Sequence, residues 1–571
     1  MVAFKESGEN AASFYQKGIK YRQQNDLENA AIYFRHAIEL ESKNFQYHHS
    51  LGDVLIRENR LEEAVTCYQN AIALKSDYFW SHHCLAKCLV WLGKYQDALS
   101  SAYRAMELNS DIAATHDILG KALFGLEKTD QAIEAYLIAL DLEPTLAIAH
   151  HNLGDALVHC NQFKEAVDSY QKAIEINPNS FWSYYGLGEA WLNQNNYELA
   201  LQWYKKALEI DPNSAPIYSA MAQLEQRRSQ YDQAAQYYQK AISLNPTWDL
   251  PYVMLQYLPV SPQRLDTLIG FYRSIVNKQS NTQLAWGNLG DALTSKGNLE
   301  EAIQCYQNFC YHNTIATNPN LANLQWKTQK ESAPDFIIIG AGKCGTSSLH
   351  KYICNHPQVL APHKKELNFF HGNFNKGVDW YLSHFPSLCD ELKYFTGEAS
   401  PVYFHAPQVD QRIYSLFPKV KLIALLRNPI DRAVSWHYHQ VKCGNSQKSA
   451  EVEISERINR VKKLNEADLA HHGGYIQESL YVYKLQRWLQ LFSREQLLII
   501  KSEDFFAQPQ LVMTKVFAFL GLPEHQSKHY KKYNAGLYVP IEANLRQTLT
   551  AFFKPHNQKL EQLLNQSFDW S

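Results

Sequence analysis

Residues 334–349, PDFIIIGAGKCGTSSL, combine the residue types that bind anions. The apolar run 336–339 predicts a buried strand, the glycines predict a tight turn around Lys343, and residues 349–354 predict the first turns of a helix. Backbone N–H groups of such a turn and the positive end of the helix dipole point at one spot, where Lys343 adds a full charge. The spacing therefore predicts an anion site.

The position of the lysine argues against a Walker A loop. That motif, G-x-x-x-x-G-K-[ST], has its lysine directly after the second glycine, whereas Lys343 precedes Gly345. A P-loop kinase or nucleotide hydrolase is an alternative that the strand, loop and helix would also fit. It lacks both the Walker order and an evident metal-binding carboxylate after an apolar strand.

A second group of residues lies in 420–439, VKLIALLRNPIDRAVSWHYH. The strand predicted over 420–426 ends at Arg427, and Pro429 suits the first turn of a helix that carries Arg432 and Ser435. Arg427 at the strand end and Ser435 two turns into the helix can face one phosphate, for which a guanidinium fork is well suited. An arginine before a proline, taken alone, fits a capping or salt-bridge role equally well.

Together these two elements resemble the PAPS-dependent sulfotransferases. The order G-x-x-K-x-G-T-S-S-L resembles their 5′-phosphosulfate loop, and R-[DN]-P with a serine eight residues after the arginine resembles their 3′-phosphate element. The resemblance implies that 3′-phosphoadenylyl sulfate (PAPS) is the sulfuryl donor and that no metal is needed, since the loop and its lysine replace Mg²⁺. The donor-binding residues that it implies are Lys343, Gly345, Thr346, Ser347, Ser348, Arg427 and Ser435, with Lys343 also catalytic.

Residues 363–374, HKKELNFFHGNF, resemble the K-E-x-x-F-F segment of heparan-type and related carbohydrate sulfotransferases. This resemblance implies that Glu366 is the catalytic base. A carboxylate can remove the acceptor proton, and its pKa would be lowered by the two preceding lysines and raised by burial beside Phe369 and Phe370. The alternative is a surface salt bridge, and His371 and His405 are reserve candidates for the base.

Two stretches depart from the family pattern. Residues 397–404, GEASPVYF, resemble its E-K-x-P-x-Y-F segment, but Ala399 stands where the family has a catalytic lysine. Residues 533–538, YNAGLY, fall where the family has a loop around the 3′-phosphate, but they lack its lysine and arginine, which leaves Asn534 and Gly536 as the contacts to expect. With a closing helix and tail over 545–570, the resemblance covers nearly all of 334–571.

These side chains need a scaffold, which a parallel sheet would provide. Strand-like runs at 336–339, 394–396, 420–426 and 496–501 alternate with helical ones. That alternation predicts an α/β domain with helices covering a central parallel sheet and with ligands at the carboxyl ends of the strands. The predicted anion loop follows the first of these strands.

The first half of the chain repeats every 34 residues over 11–316 and resembles the tetratricopeptide repeat. One unit over 249–282 is degenerate, because Pro251, Pro259 and Pro262 disrupt its first helix. We count about nine units. The small residues recur at Gly18, Gly52, Ala86, Gly120, Gly154, Gly188, Ala222 and Gly290. Except at Ala102, an aromatic follows sixteen positions later, at Phe34, Tyr68, Tyr136, Tyr170, Tyr204, Tyr238 and Tyr306.

Such an array presents an extended groove that normally binds a partner. The column His48, His82, His116 and His150 invites a metal interpretation, but stacked repeats hold these rings too far apart to share one ion. Elsewhere the same position carries a large aromatic, so a packing role is favoured. Cys84 and Cys88 beside two histidines are a weak metal candidate, because small buried cysteines are common in helix cores.

Composition excludes several classes of protein. The 57 acidic and 55 basic residues nearly cancel, so no overall field favours nucleic acid or an acidic membrane. No run approaches the ~18–20 apolar residues of a membrane span. The start, MVAFKESGENAASF, lacks the apolar core of a signal peptide, and the ten cysteines form no disulfide framework. We therefore expect a cytoplasmic protein.

The sequence thus predicts a multidomain chain: an all-α tetratricopeptide superhelix over 11–316, a linker over 317–333, and an α/β P-loop-like sulfotransferase domain over 334–571. The expected reaction transfers a sulfuryl group from PAPS to a hydroxyl or amine of a carbohydrate, a protein tyrosine or a small molecule. The array would bind a protein or peptide partner, or the acceptor itself. The alternative is a tetratricopeptide scaffold whose C-terminal domain binds nucleotide without turnover.

Overall fold

The computed structural model describes residues 10–259, 261–279, 281–326, 333–388, 394–471, 474–527, 530–533 and 541–570. The chain divides into two compact units, residues 1–259 and 260–571. Among the described residues, no helix is both long enough and apolar enough to cross a bilayer.

The first unit consists of helices paired into antiparallel hairpins. Most of its helices have 13 or 14 residues, and short turns join them. The last is cut to 8 residues where the prolines cluster. The helices are α1 (Ala11–Gln23), α2 (Leu27–Leu40), α3 (Phe45–Arg57), α4 (Leu61–Leu74), α5 (Phe79–Trp91), α6 (Tyr95–Leu108), α7 (Ala113–Gly125), α8 (Thr129–Leu142), α9 (Ala147–His159), α10 (Phe163–Ile176), α11 (Phe181–Asn193), α12 (Tyr197–Ile210), α13 (Ala215–Arg227), α14 (Tyr231–Leu244) and α15 (Asp249–Gln256).

The spacing of small residue and aromatic has a direct structural cause. The aromatic ring of the second helix lies flat against the small residue of the first, so that a Cβ at Gly52 would lie 2.7 Å from the Tyr68 ring. Tyr170 fills the space beside Gly154 and also the space beside Gly186 of the next hairpin. The Tyr170 ring is therefore shared between neighbouring hairpins, and a larger residue at either glycine would clash with it.

The histidine column is structural. The Nε2 atom of His48 donates to the Ser42 carbonyl oxygen at 2.9 Å, and His82, His116 and His150 repeat this bond to the residue six positions earlier. The Tyr252 hydroxyl makes the same bond to the Pro246 carbonyl at 3.1 Å. Each ring therefore satisfies a carbonyl at the end of the preceding helix, as expected for the position that carries a large aromatic elsewhere.

The second unit begins with helical hairpins and continues into an α/β fold. Its helices are α16 (Pro262–Lys278), α17 (Gln283–Lys296), α18 (Leu299–Thr317), α19 (Thr346–Cys354), α20 (Val378–Leu382), α21 (Val409–Leu416), α22 (Pro429–Lys442), α23 (Ala450–Val461), α24 (Glu466–His471), α25 (Tyr481–Leu489), α26 (Ser502–Ala507), α27 (Pro509–Leu520) and α28 (Ala543–Leu564). Its strands are β1 (Phe336–Gly340), β2 (Gly397–Ala399), β3 (Lys421–Leu426) and β4 (Leu497–Lys501).

The four strands form one parallel sheet in the order β2-β1-β3-β4. The residues of β1 are all buried, as expected for a strand covered on both faces. The predicted fold class, a helical repeat array followed by an α/β domain with a parallel sheet, is confirmed. All four strands end at the same edge, where the loops after β1 and β3 lie side by side.

The second predicted strand, over 394–396, is wrong by three residues. The structure places β2 at Gly397–Ala399, with Gly397 opposite Phe336. The approach is so close that a Cβ at residue 397 would clash with the Phe336 carbonyl oxygen. A glycine and a buried glutamate are poor strand formers by composition, which explains why the pattern pointed to the preceding residues.

Candidate active site

Three consecutive carbonyl groups of the loop after β1 are held by side chains from other segments. Arg432 Nε donates to the Gly342 carbonyl at 3.1 Å, and Arg427 Nη1 donates to the Lys343 carbonyl at 3.4 Å. Ser502 Oγ, directly after β4, donates to the Cys344 carbonyl at 2.5 Å. The loop is thus fixed from the sheet edge by the residue that follows β3 and by residues of α22 and α26.

Fixing the carbonyls also orients the N–H groups. In a trans peptide the C=O and the following N–H point in opposite directions, so the N–H groups of Lys343 and Gly345 point away from the side chains that hold the loop. Gly345 has φ +102°, and a Cβ there would lie 2.8 Å from the Phe506 ring. In the described part of the chain no side chain caps α19, which leaves its first N–H groups for a ligand. This geometry fits an anion.

Arg432 belongs to a buried ionic network beneath the loop. Its guanidinium bonds to the Glu478 carboxylate and donates to the Tyr475 carbonyl at 3.0 Å. His405 Nε2 lies 3.7 Å from the other oxygen of Glu478, and burial lowers the pKa of His405. The network therefore ties the loop to His405, one of the reserve candidates for the base.

Lys343 is half-buried at the top of this loop. Burial lowers the pKa of Lys343 from its ordinary value, and the charges of Arg432 and Lys365 act in the same direction. The charge of Glu366 raises this pKa, so the two proposed catalytic groups lie within electrostatic reach of each other.

Residues 427 and 428, which follow β3, are held by hydrogen bonds to backbone groups. The Tyr481 hydroxyl accepts from the Arg427 N–H at 3.4 Å and donates to the Arg427 carbonyl at 2.8 Å. Asn428 caps α22 by accepting from the Ile430 N–H at 3.0 Å. Ser435 lies buried in the second turn of α22, on the helix that also carries Arg432. The strand end and the helix that follows it are therefore presented as one rigid element.

The segment with the proposed base meets the loop through Lys365. The ammonium of Lys365 donates to Ser347 Oγ at 2.8 Å and to Glu366 Oε1 at 2.6 Å. The Glu366 side chain is 47% exposed, so the expected burial beside Phe369 and Phe370 is wrong, although both rings are themselves buried. The carboxylate is therefore held by a neighbouring lysine and is open to an incoming molecule.

The hydroxyls of the loop differ in their surroundings. Ser347 bonds to Lys365, whereas Ser348 is fully buried and its Oγ accepts from the Tyr533 N–H at 3.0 Å. Only the backbone of Ser348 is therefore left for the contact with PAPS that the sequence predicts. Thr346 is buried at the start of α19. The expected contacts of Asn534 and Gly536 lie outside the described residues.

The buried Glu398 carboxylate holds the base segment, residues 363–370, which carries Glu366. Its carboxylate accepts from the Leu367 N–H at 3.3 Å and from the hydroxyls of Tyr381, Ser400 and Tyr403. Burial raises the pKa of Glu398 to about 7, although these four bonds favour the ionised form. Ala399 is buried and donates its N–H to the Lys365 carbonyl at 2.9 Å. Its position thus contributes a backbone bond to the segment and no charge.

Comparison with known proteins identifies the family of the α/β domain. Residues 333–535 match the family described as "Sulfotransferase domain". The chain carries a sulfotransferase domain. Tetratricopeptide repeats match residues 11–44, 52–93, 120–159, 154–194, 181–214, 203–236 and 284–310.

The relatives of the sulfotransferase domain include larger proteins. A mouse bifunctional heparan sulfate N-deacetylase/N-sulfotransferase 4 is 30% identical over 277 residues, which is 42% of this chain and 31% of that protein. The membrane-associated sulfotransferase kil1 of Dictyostelium discoideum is 26% identical, over 42% of this chain and 66% of that protein. The chain thus spans about a third of the length of the N-deacetylase/N-sulfotransferases that it matches. A solved sulfotransferase from Alicyclobacillus acidocaldarius is 31% identical, over 42% of this chain and 99% of that one, with a TM-score of 0.35.

Sequence reasoning missed several residues of the sulfotransferase domain that hold the site. Glu478, Tyr481 and Ser502 lie far from the motifs, and only Ser502 left a usable signal, because it directly follows a predicted strand. The sequence predicts that Arg432 lies on the helix after Pro429 but indicates no role for it. In the part of the chain that the structure describes, no group of three or more His, Cys, Asp or Glu side chains gathers as metal ligands. Burial raises the pKa of Cys84 and of Cys88 to about 12, so neither is a ready thiolate.

Proposed function

We propose that the protein transfers a sulfuryl group from PAPS to a hydroxyl or amine acceptor, and that the tetratricopeptide array binds a protein or peptide that is the acceptor or directs the enzyme to it. One observation carries the proposal. Three segments, each resembling a different sulfotransferase motif, meet at the loop after β1: Arg427 bonds to the Lys343 carbonyl across 84 residues, and Lys365 bonds to Ser347.

The residues divide the work as follows. PAPS supplies the activated sulfuryl group. The N–H groups of the loop and Lys343 bind the 5′-phosphosulfate, and Arg427 and Ser435 bind the 3′-phosphate. Glu366 accepts the proton of the acceptor as the new S–O or S–N bond forms and the S–O bond to the 5′-phosphate breaks. Lys343 neutralises the charge that develops on the leaving phosphate, and one preorganised group of this kind is worth about 10²–10³ in rate.

The acceptor follows from the relatives only as a proposal. Several of them are named heparan sulfate N-sulfotransferases, so the amine of a glucosamine-containing polysaccharide is the first acceptor to test. The half-exposed Glu366 is compatible with a large acceptor, because one face of its carboxylate is open.

Donor binding is tested with PAP, the desulfated product, and the full chain. PAP at a hundred times its dissociation constant should stabilise the folded state by ~2.7 kcal/mol, which a thermal melt detects easily. The shift should be lost in Arg427→Ala. It should persist in Arg494→Ala, a matched control whose guanidinium bonds to the Leu497 carbonyl at the opposite end of the sheet. An equal shift with ATP in place of PAP would contradict the donor assignment.

Transfer is tested separately with ³⁵S-labelled PAPS. The acceptors are N-deacetylated heparosan, a tyrosine-containing peptide and p-nitrophenol. Label in any acceptor supports the proposal and identifies its class. Binding of PAP without transfer to these acceptors or to water would favour the scaffold alternative.

A further inference from the structure

The hairpin α17–α18, the last of the repeats, packs against the segment that leads to the proposed base. The His363 ring lies 4.4 Å from the Phe309 ring and 4.9 Å from the Tyr306 ring, between centroids. A Cβ at Gly287 would lie 2.6 Å from His363 Nε2. Trp380 Nε1 donates to Thr294 Oγ1 at 2.9 Å. All of these residues belong to the compact unit 260–571, so the hairpin is an internal part of that unit.

The hairpin also makes an ion pair with Lys364. Asp291 on α17 accepts from the Tyr306 hydroxyl through Oδ1 at 3.1 Å and from Lys364 Nζ through Oδ2 at 2.5 Å. The same arrangement occurs in the hairpin α9–α10, where the Tyr170 hydroxyl donates to Asp155 Oδ1 at 2.6 Å. In both hairpins the tyrosine fixes one carboxylate oxygen and leaves the other to a second group. For Asp291 of α17 the second group is Lys364, two residues before Glu366.

The residues between Asp291 and the loop after β1 form a short connected path. Lys364 bonds to Asp291. The ammonium of Lys365 bonds to Ser347 and Glu366, and the Lys365 carbonyl accepts from the Ala399 N–H at 2.9 Å. Burial does not determine the position of Glu366, because its side chain is 47% exposed. Its position therefore depends on how firmly the residues on either side are held.

We propose that Asp291 is a positioning residue for sulfuryl transfer: through Lys364 it holds the Lys365–Glu366 segment against the loop after β1. The inference rests on the proposed function and adds a member of the repeat array to its catalytic unit. The pair contributes little to global stability, since the Lys364 and Asp291 side chains are 36% and 24% exposed and water screens them. Its effect on rate is larger, because a shift of about 1 Å in a reacting group can cost about 10²-fold.

The test compares Asp291→Asn, Lys364→Met and the double variant in the full chain. Asn keeps an oxygen for the Tyr306 hydroxyl and replaces the charged oxygen that faces Lys364 with an uncharged NH2 group, which removes the ion pair. We expect kcat for PAPS turnover to fall about 10- to 100-fold in each variant, with the Kd for PAP changed less than about twofold. Because the two residues act as one unit, the double variant should be no slower than either single variant. Asp155→Asn removes the equivalent charge in α9–α10 and serves as the matched control with unchanged turnover.

A second readout does not depend on activity. Hydrogen exchange of the amides in residues 363–370 should accelerate in Asp291→Asn and stay unchanged in Asp155→Asn. Unchanged exchange in both variants, or additive losses of kcat in the double variant, would overturn the positioning role. Absence of turnover in the unsubstituted protein, with exchange accelerated as expected, would contradict the proposed function and leave the structural role of Asp291 supported.

Discussion

The donor loop, residues 341–348, and the base segment, residues 363–370, are held in opposite ways. Buried side chains from the sheet edge bind the donor loop through its carbonyls, with the fully buried Arg432 as the central group. The base segment is held by the side chains of two partly exposed lysines: Lys364 pairs with Asp291 of a repeat hairpin, and Lys365 pairs with Glu366. The difference teaches that the loop proposed to bind the donor is held by the α/β core, whereas the segment with the proposed base is also held by a contact from outside that core.

The largest effect is expected at the donor loop. Arg432→Leu leaves the Glu478 carboxylate buried without its partner, which typically costs about 3–5 kcal/mol, and it releases the Gly342 carbonyl. Urea unfolding should report the loss of stability, and PAP binding should be abolished. The exposed pair Arg273–Glu301 provides the control, because Arg273→Leu should cost less than about 1 kcal/mol. Unchanged stability and unchanged PAP affinity in Arg432→Leu would show that the donor loop does not depend on the buried Arg432 network.

The next effect is expected at the base segment. Glu366→Gln keeps the shape of the side chain and removes its basicity, so kcat should fall about 10²- to 10⁴-fold while the Kd for PAP stays unchanged. Single-turnover rates and PAP titrations would separate the two quantities. Near-full turnover in this variant would show that Glu366 is not the base, and His405→Asn and His371→Asn would then be measured in its place.

The smallest effect is expected at Glu398, whose buried carboxylate accepts a hydrogen bond from the base segment. Burial raises the pKa of Glu398 to about 7, above its value in the unfolded chain. The stability that this group contributes is therefore fully present below the unfolded pKa and is lost as the pH rises through about 7. Between pH 5 and pH 7 the stability of the protein should fall by about 2 kcal/mol, and Glu398→Gln, which has no titrating group at this position, should not show this fall. Parallel pH curves for the two proteins would refute this.

The repeats and the donor loop were predictable because their signals are local. A 34-residue period follows from one ring packing on one small residue in most hairpins, and the donor motifs lie within single strand–loop–helix units. The strand β2 was misplaced because a glycine and a buried glutamate carry no strand pattern. The contacts of Glu478, Ser502 and Asp291 join residues that are 46, 158 and 73 positions apart, and single buried polar residues leave no periodic trace.

The boundary between the compact units has a consequence for the modularity of this architecture. It lies at residue 259, after α15, so the hairpin α17–α18 belongs to the same compact unit as the sulfotransferase domain. A recombination event, natural or engineered, that exchanges residues 1–259 would keep the Asp291–Lys364 pair intact. One that joins a new array at residue 334 would separate the enzyme from its own positioning residue. The compact unit that holds the candidate active site therefore begins inside the repeat region, before the first strand of the sheet.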